Sequence, residues 1–239
     1  MPIIFAFHPY GGDGKSWIGK IAKVRGDCIG VYPNGIRGGW GARPVTSPEE
    51  DDMVFVDMIL DALRSQYRLE AKRCAILGAS NGVGVVQRML LQRTHFKRAC
   101  ILSGSFAKGE QPDPYIAGEA PPGPPMVPLL QVMGKADALI PYDGGCGQVP
   151  VHVEPSEEAA RMWARHAGCD MNGHVYENAA GSVRIVFNNP HSGVSIVHLG
   201  LANVGHEIAG LHDVAERDHS LGLASGLWHA VFEWLLTDL

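Results

Sequence analysis

The chain has 239 residues, of which 46% are hydrophobic and 19% are charged, and its formal net charge is −5. This composition indicates a folded globular protein rather than a disordered one, and a chain of this length needs neither a metal nor disulfides to build a core. The sequence has no cluster of Lys and Arg, which argues against nucleic acid and anionic membrane surfaces as partners.

Neither a membrane span nor a targeting segment is expected. No apolar run approaches the ~20 residues of a transmembrane helix, and the first apolar run, Ile3–Phe7, is too short for a secretion signal and has no basic start. We therefore expect a cytoplasmic protein, or a secreted one if a signal precedes the residues given. The five cysteines are widely spaced and form no C-x-x-C pair, which disfavours a zinc site.

Short apolar runs alternate with helix-like stretches along the chain. Strands are predicted at Ile3–His8, Cys28–Tyr32, Arg73–Ala79, Ala99–Ser103, Val127–Met133, Val183–Phe187 and Ser195–Leu199. Helices are predicted at Glu49–Arg68 with Ser47 as N-cap, and at Asn81–Arg93, Ser156–Ala167 and Leu221–Leu236. This alternation predicts an α/β fold with a mostly parallel central sheet and helices on both faces, in one domain over residues 1–239.

One stretch departs from this pattern because it is rich in proline. Gly109–Pro128 contains seven prolines, which rules out a helix or an inner strand. Strand-like sequence resumes directly after it. We therefore predict a loop over the carboxyl edge of the sheet, and a candidate lid, in preference to a domain linker.

The segment Gly78-Ala79-Ser80-Asn81-Gly82 has the form G-x-S-x-G and stands between a predicted strand and a predicted helix. This is the context of a nucleophile elbow, in which a sharp turn exposes the serine hydroxyl at a helix N-terminus. Side chains at the two glycine positions would collide with the neighbouring strand and helix. Ser80 is the predicted nucleophile, and the amide of Asn81 is a predicted oxyanion donor. An ordinary glycine-rich turn is the alternative.

A serine nucleophile needs a base and an acid that orients the base, and in this fold class the acid precedes the histidine in the chain. Asp137 follows an apolar strand and is the predicted acid, with Asp143 as the alternative and Asp113 disfavoured. His206 follows the last predicted strand and is the predicted base. The sequence places three other histidines less favourably: His198 within a strand, His229 within a helix, and His219 just before that helix.

The second oxyanion donor is expected on the loop after the first strand, in the sequence FHPYGGDGKSW. Tyr10 and Gly11 offer backbone amides there, and the glycines at 11 and 12 permit a close backbone approach. Trp40, Ile140 and Tyr142 are candidate walls of a substrate pocket, although a packing role is favoured for each of them.

With these residues in place, the chain resembles the α/β-hydrolase group that contains polyhydroxybutyrate depolymerases, feruloyl esterases and acetylxylan esterases. The resemblance covers nearly the whole chain and rests on these segments: FHPYGGDG, VYPNG, EEDDMVFVDMILDAL, LGASNGVG, ILSGSF, GKADALIPY and VGHEIAG. It implies the α/β-hydrolase fold, with Ser80, Asp137 and His206 as a catalytic triad. It also implies that the amides of Tyr10 and Asn81 form the oxyanion hole.

Three positions depart from the family pattern. Pro9 follows His8 where the family usually has glycine, which removes a backbone donor from the oxyanion loop. Glu207 follows His206 where the family commonly has tryptophan. Ala179 and Ala180 stand where secreted relatives often carry a cysteine that pairs with the equivalent of Cys169, so the resemblance implies that this disulfide is missing.

These observations predict a serine hydrolase of carboxylic esters that acts through an acyl-enzyme on aryl or short-chain esters of the feruloyl, acetyl or hydroxybutyrate type. No cofactor and no metal are expected, and the predicted partner is a small-molecule or polymeric ester. A thioesterase or peptidase on the same fold is one alternative. A binding module that keeps the scaffold without catalysis is another. The sequence predicts no oligomeric state.

Overall fold

The computed structural model describes residues 1–20, 28–41, 51–67, 73–108, 126–209 and 217–239. The strands in these ranges are β1 Ile3–Phe7, β2 Ile29–Val31, β3 Cys74–Ala79, β4 Arg98–Leu102, β5 Leu129–Gly134, β6 Gly145–Cys146, β7 His152–Val153, β8 His174–Glu177, β9 Val183–Asn188 and β10 Ser195–Leu201. The α-helices are α1 Asp52–Gln66, α2 Val83–Gln92, α3 Ser156–His166 and α4 Leu227–Leu236.

Eight of these strands form one sheet in the order β2-β1-β3-β4-β5-β10-β9-β8. The first six in this order are parallel to one another, and β9 and β8 continue the sheet as antiparallel strands at one edge. β6 and β7 form a separate antiparallel pair. Because the carboxyl ends of parallel strands meet at one edge, the loops that follow β1, β3, β5 and β10 converge there.

The sheet is covered by helices on both faces, so its central strands are largely apolar, with the buried Gln131 of β5 and His198 of β10 as exceptions. Alternate residues of each strand point to opposite faces, and they separate into two buried clusters. One cluster packs against α4, through Leu227, Val231, Phe232 and Leu235. The other packs against α1, α2 and α3, through side chains such as Met53, Val86 and Trp163. The predicted α/β architecture with a mostly parallel sheet is confirmed.

Several predicted boundaries are wrong, and the reasons are local. α1 begins at Asp52, and its N-cap is Asp51, whose carboxylate accepts the Met53 amide; Ser47 lies outside the described residues. α2 begins at Val83, because the residues just before it form a tight 3-10 turn. The closing helix begins at Leu227, six residues later than predicted, because Gly226 adopts a φ of 96°.

β8 is absent from the sequence prediction. All four of its residues are exposed. Because neither face of this strand is buried, its sequence has no apolar run and no alternation of apolar and polar residues that would indicate a strand. Most of the predicted proline-rich loop, residues 109–125, lies outside the described residues. In the part of the chain that the structure describes, no helix is both long and apolar enough to cross a membrane.

Candidate active site

The turn between β3 and α2 has the sharp geometry that the sequence predicts. Ser80 is half-buried and has a φ of 49°, a left-handed conformation that is rare for residues other than glycine. A Cβ at Gly78 would lie 2.4 Å from the Gly82 carbonyl oxygen, and one at Gly82 would lie 2.4 Å from the Phe7 carbonyl oxygen. Any side chain at either position would therefore force the turn open, so both glycines are required by packing.

Ser80, His206 and Asp137 form a continuous hydrogen-bonded relay. His206 Nε2 lies 2.9 Å from Ser80 Oγ, and His206 Nδ1 lies 2.6 Å from Asp137 Oδ2. Because the carboxylate accepts at Nδ1, that nitrogen carries the imidazole proton and Nε2 presents its lone pair to the serine hydroxyl. The structure thus brings together the three residues that the sequence selects as nucleophile, base and acid.

The carboxylate of Asp137 is held by its own loop. Its Oδ1 accepts the amides of Leu139 and Ile140, both at 2.9 Å, while Oδ2 remains for His206. The Asp137 side chain is fully buried, whereas that of His206 is 19% exposed. The backbone therefore fixes which carboxylate oxygen faces the imidazole, and the imidazole keeps one side open to a substrate.

The loops that carry Asp137 and His206, the predicted acid and base, run in contact. The Ala136 amide donates to the Val204 carbonyl at 2.9 Å. At Gly134 a Cβ would lie 2.2 Å from that same carbonyl and 2.5 Å from the Gly205 carbonyl. Gly134 ends β5, so its lack of a side chain allows the loop after β10 to cross over the end of β5. This crossing brings His206 to the acid.

The loop after β1 carries the predicted oxyanion donors. The Gly11 amide donates to the Gly38 carbonyl at 2.7 Å and is therefore already used. For the Tyr10 amide, no acceptor is found within the described part of the chain. Of the two amides that the sequence leaves open, Tyr10 is thus the one available to a ligand. The Asn81 amide belongs to the first turn of a helical segment, where backbone donors have no partner within the helix.

Pro9 removes a backbone donor from this loop, and the His8 side chain holds the loop instead. His8 is fully buried. Its Nδ1 lies 2.7 Å from the Pro9 carbonyl, and its Nε2 accepts the Gly35 amide at 3.0 Å. The carbonyl oxygen can only accept and the amide can only donate, so the proton lies on Nδ1. His8 therefore joins the loop after β1 to the neighbouring loop that contains Gly35.

Trp40 is placed behind the site rather than on an open pocket wall. The residue is 2% exposed, and its indole Nε1 donates to the His8 carbonyl at 2.9 Å. Its ring packs edge-on against Phe7, with the ring centroids 5.1 Å apart. The geometry favours a packing role for Trp40 over the predicted contact with substrate.

The two other candidate pocket residues differ from each other. Tyr142 is 7% exposed, and its hydroxyl lies within hydrogen-bond distance of His198 and Glu157, so it also packs within the protein. Ile140 is half-buried and follows Asp137 by three residues. Ile140 remains a candidate for substrate contact.

The alternatives that the sequence left open lie elsewhere. Asp143 is exposed, His198 is fully buried within β10, and His219 and His229 are exposed. Asp113 lies outside the described residues. None of the four described alternatives contributes to the relay.

Sequence reasoning missed four side chains that shape the site. They are the side chains of His8, Asn34, Asn81 and Ser103; the Asn81 carboxamide bonds the Trp40 backbone. Asn34 Oδ1 accepts the Gly14 amide at 2.7 Å, and the Asn-Gly pair in VYPNG was the available signal for a side chain that holds a turn. Ser103 follows β4 beside the nucleophile turn, has a φ of 49° and buries a hydroxyl that has no hydrogen-bond partner among the described residues. No local pattern in the sequence indicates this.

No group of three or more His, Cys, Asp or Glu residues suited to a metal ion is found within the described ranges. The five cysteines all lie within the described residues and form no disulfide, and Cys169 is buried.

Comparison with known proteins gives a consistent result. No family model matches the chain. Feruloyl esterase C of Emericella nidulans is 25% identical over 207 residues, which are 82% of this chain and 67% of that protein. Feruloyl esterase B of Piromyces equi is 24% identical over 217 residues, which are 86% of this chain and 39% of that protein. The chain thus spans between about two-fifths and two-thirds of the length of these two relatives.

Solved structures match over almost the whole chain. Arabidopsis thaliana SOBER1 has a TM-score of 0.59 at 12% identity, covering 98% of this chain and 97% of its own. Esterase PE8 has a TM-score of 0.55 at 17% identity, covering 86% of this chain and 84% of its own. These likenesses agree with the fold described above. Together with the curated relatives, they show that the chain has the α/β-hydrolase fold and is similar in sequence to esterases.

Proposed function

We propose that the chain hydrolyses carboxylic esters by a serine mechanism with an acyl-enzyme intermediate. The observation that carries the proposal is the relay from Asp137 Oδ2 through His206 to Ser80 Oγ, with contacts of 2.6 and 2.9 Å. A serine hydroxyl becomes a useful nucleophile only when an oriented base can take its proton. The curated relatives, whose names are those of feruloyl esterases, support the ester class.

In the first half of the reaction, Ser80 Oγ attacks the ester carbonyl carbon while its proton passes to His206 Nε2. The carbonyl oxygen becomes an oxyanion that accepts hydrogen bonds from the amides of Tyr10 and Asn81. The imidazolium, stabilised by Asp137, then gives its proton to the alcohol oxygen as the carbon–oxygen bond breaks. The alcohol leaves, and the acyl group remains on Ser80.

In the second half, water takes the place of the alcohol. His206 removes a proton from the water as its oxygen attacks the acyl carbon, and the same two amides receive the second oxyanion. The intermediate collapses, His206 returns the proton to Ser80 Oγ, and the carboxylic acid leaves. All the proton transfers therefore use one imidazole, and the triad ends in its starting state.

We further propose that the substrates are aryl or short-chain esters of the feruloyl, acetyl or hydroxybutyrate type. The half-buried Ile140 beside the acid and the exposed Tyr10 ring beside the proposed oxyanion amide offer apolar surface at the site. Such surface would favour an aryl or short acyl group over a charged one. Small-molecule and polymeric esters both remain within this class.

A serine-directed fluorophosphonate probe tests the mechanism. We expect it to label the wild type at Ser80, and we expect Ser80→Ala to abolish both labelling and turnover while the melting temperature changes little. An unlabelled wild type, or turnover near the wild-type rate in Ser80→Ala, would refute the serine mechanism. A panel of methyl ferulate, 4-nitrophenyl acetate, hydroxybutyrate oligomers, a thioester and a peptide amide then tests the substrate class. Preference for the thioester or the amide would reject it.

A further inference from the structure

A histidine stands in the middle of an otherwise apolar buried strand. The neighbours of His198 along β10 are Val197 and Leu199, and His198 itself has no exposed surface. Burial lowers the pKa of His198 to about 3, with smaller contributions from the positive charges of Lys135 and Arg161. The imidazole is therefore neutral and carries one proton. A neutral imidazole in an apolar layer costs stability unless its polar atoms are bonded.

The hydrogen-bond partners show where that proton lies. Tyr142 Oη is 2.9 Å from His198 Nε2 and 3.1 Å from Glu157 Oε1. Burial and the nearby Glu157 raise the pKa of Tyr142 above its usual value, so the phenol keeps its proton. The carboxylate of Glu157, which also pairs with Arg161 at 3.5 Å, can only accept. Tyr142 therefore donates to Glu157 and accepts from His198 Nε2–H.

The other ring nitrogen of His198 is left without a partner. Among the described residues, no group bonds to His198 Nδ1. An apolar side chain would avoid this cost and would match the rest of β10. A residue that lowers local stability without compensation is expected where function requires it. What His198 provides is one hydrogen bond, to Tyr142.

Tyr142 is fixed to its surroundings at several points. Its carbonyl accepts the Ser156 amide of α3 at 2.8 Å. Its ring lies against Gly200, where a Cβ would stand 2.4 Å from the hydroxyl oxygen. The ammonium group of Lys135 lies 5.4 Å from the ring centroid. The ring therefore fills a space on β10 that exists because residue 200 has no side chain.

The chain positions of the pair connect it to the relay. Tyr142 follows Asp137 by five residues on the same loop, and His198 precedes His206 by eight residues on the strand that leads to it. The Tyr142–His198 hydrogen bond thus joins the segment that carries the acid to the strand that carries the base. It does so from within the buried layer, where water does not compete for it.

We propose that Tyr142 and His198 are positioning residues that hold the loop of Asp137 against β10 so that the carboxylate and the His206 imidazole stay in register. This inference rests on the proposed serine mechanism. The pair does not touch the reacting atoms, so its effect is on how often the relay is correctly aligned. Loss of alignment lowers kcat and leaves KM almost unchanged.

Three single variants and one double variant test the proposal, with 4-nitrophenyl acetate as substrate. Tyr142→Phe removes the acceptor but keeps the ring against Gly200, and His198→Leu removes the donor. We expect each to lower kcat about tenfold with KM within about twofold, as small misplacements of reacting groups do. The double variant should lose no more than Tyr142→Phe alone, because Tyr142→Phe already removes the bond to His198 together with the bond to Glu157. His198→Gln, whose amide can donate to Tyr142, should recover most of kcat.

Tyr176→Phe is a matched control, since it removes a tyrosine hydroxyl from the exposed edge strand β8, and it should keep the wild-type kcat. Tyr142→Phe changes one atom, so it remains informative if His198→Leu does not fold. The proposal would be overturned if Tyr142→Phe kept the wild-type kcat, or if KM rose as much as kcat fell. It would also be overturned if the two single losses in kcat multiplied in the double variant, or if His198→Gln recovered no kcat. A wild type without esterase activity or probe labelling would remove the proposed function and this inference together. If the wild type is active and the Tyr142 and His198 variants keep its kcat, only this inference is refuted.

Discussion

The side chain of Asn81 makes two hydrogen bonds to the backbone of Trp40, one with the Trp40 amide and one with the Trp40 carbonyl. Asn81 Oδ1 accepts the Trp40 amide at 2.7 Å, and Nδ2 donates to the Trp40 carbonyl at 3.0 Å. Asn81 directly follows Ser80, so one residue ties the nucleophile turn to the loop that ends at Trp40. That loop in turn holds the chain around Tyr10, through the Gly11 amide and the Gly38 carbonyl. The proposed oxyanion donors are therefore mechanically linked.

Replacing Asn81 by alanine should damage both stability and catalysis. The change removes two hydrogen bonds and leaves the backbone groups of Trp40 without partners, so we expect a loss of about 2 kcal/mol in the free energy of unfolding. The Asn81 amide remains, but the loop around Tyr10 loses its anchor, and kcat should fall about tenfold or more. Urea denaturation and ester hydrolysis measure the two effects. Asn172→Ala, at an exposed loop position, is the control; equal effects of the two variants would contradict the assignment.

The two glycines at the start of α2 should respond in opposite directions to alanine. In Gly82→Ala the new Cβ meets the Phe7 carbonyl oxygen at 2.4 Å, so we expect a loss of at least about 2 kcal/mol in stability. Gly84 lies within α2 with no atom within 4 Å of the Cβ position, so Gly84→Ala should gain roughly 0.5–1 kcal/mol from helix propensity. Thermal and urea denaturation of the pair test this. Equal effects in both variants would show that the elbow tolerates a side chain.

Ser103 combines two unfavourable features next to the nucleophile turn. Its φ of 49° strains a residue that has a side chain, and its buried hydroxyl has no partner among the described residues. Ser103→Gly removes both features, and we expect it to raise the free energy of unfolding by about 1 kcal/mol. Ser103→Ala keeps the strain and should gain less. A lower urea midpoint for Ser103→Gly than for wild type would contradict this account.

His198 should make the protein sensitive to mild acid. Because burial, with Lys135 and Arg161 nearby, lowers its pKa to about 3 in the folded state, the unfolded chain takes up a proton that the folded protein does not accept. This occurs between about pH 6.5, the usual value for histidine, and pH 3. The free energy of unfolding therefore has its full value above the pKa of histidine in the unfolded chain, and it falls as the pH is lowered below that pKa.

The comparison of wild type with His198→Leu isolates this effect. Between pH 7 and pH 5 the wild type should lose about 2 kcal/mol more than the variant, by the linkage between proton binding and folding. Urea denaturation at the two pH values measures the difference. Parallel losses in the two proteins would mean that His198 titrates in the folded state much as it does in the unfolded chain.

The parts of the site that local sequence determines were predictable. The elbow needs only five residues, because its two glycines and the serine contact each other and the adjacent strand. Asp137 and His206 could be selected because each follows an apolar strand, and parallel strands bring such positions to one edge. The same reasoning located β1, β2, β3, β4 and β9 to within one residue at each end.

The supporting contacts could not be predicted because they join distant segments. Asn81 and Trp40 are 41 residues apart, and His8 and Gly35 are 27 apart. Nothing in either member of these pairs indicates the other. The start of the closing helix was predicted wrongly for a different reason. The apolar residues Leu221 and Leu223 are buried against the core without being helical. Apolar spacing therefore predicted a helix that begins too early.

Ser80 and Asn81 are adjacent in the chain, and this limits the distance between the serine hydroxyl and the Asn81 amide. Only the bonds of Ser80 and its peptide link to Asn81 separate Ser80 Oγ from the Asn81 amide, the proposed oxyanion donor. The position of the Tyr10 amide, in contrast, depends on residues 34–40, which hold the loop after β1 through the Gly11–Gly38 backbone hydrogen bond and the bond between His8 and the Gly35 amide. Efforts to alter substrate preference by directed evolution would therefore find their useful variation at the exposed Ile36 and Arg37 of this segment, while the elbow tolerates almost none.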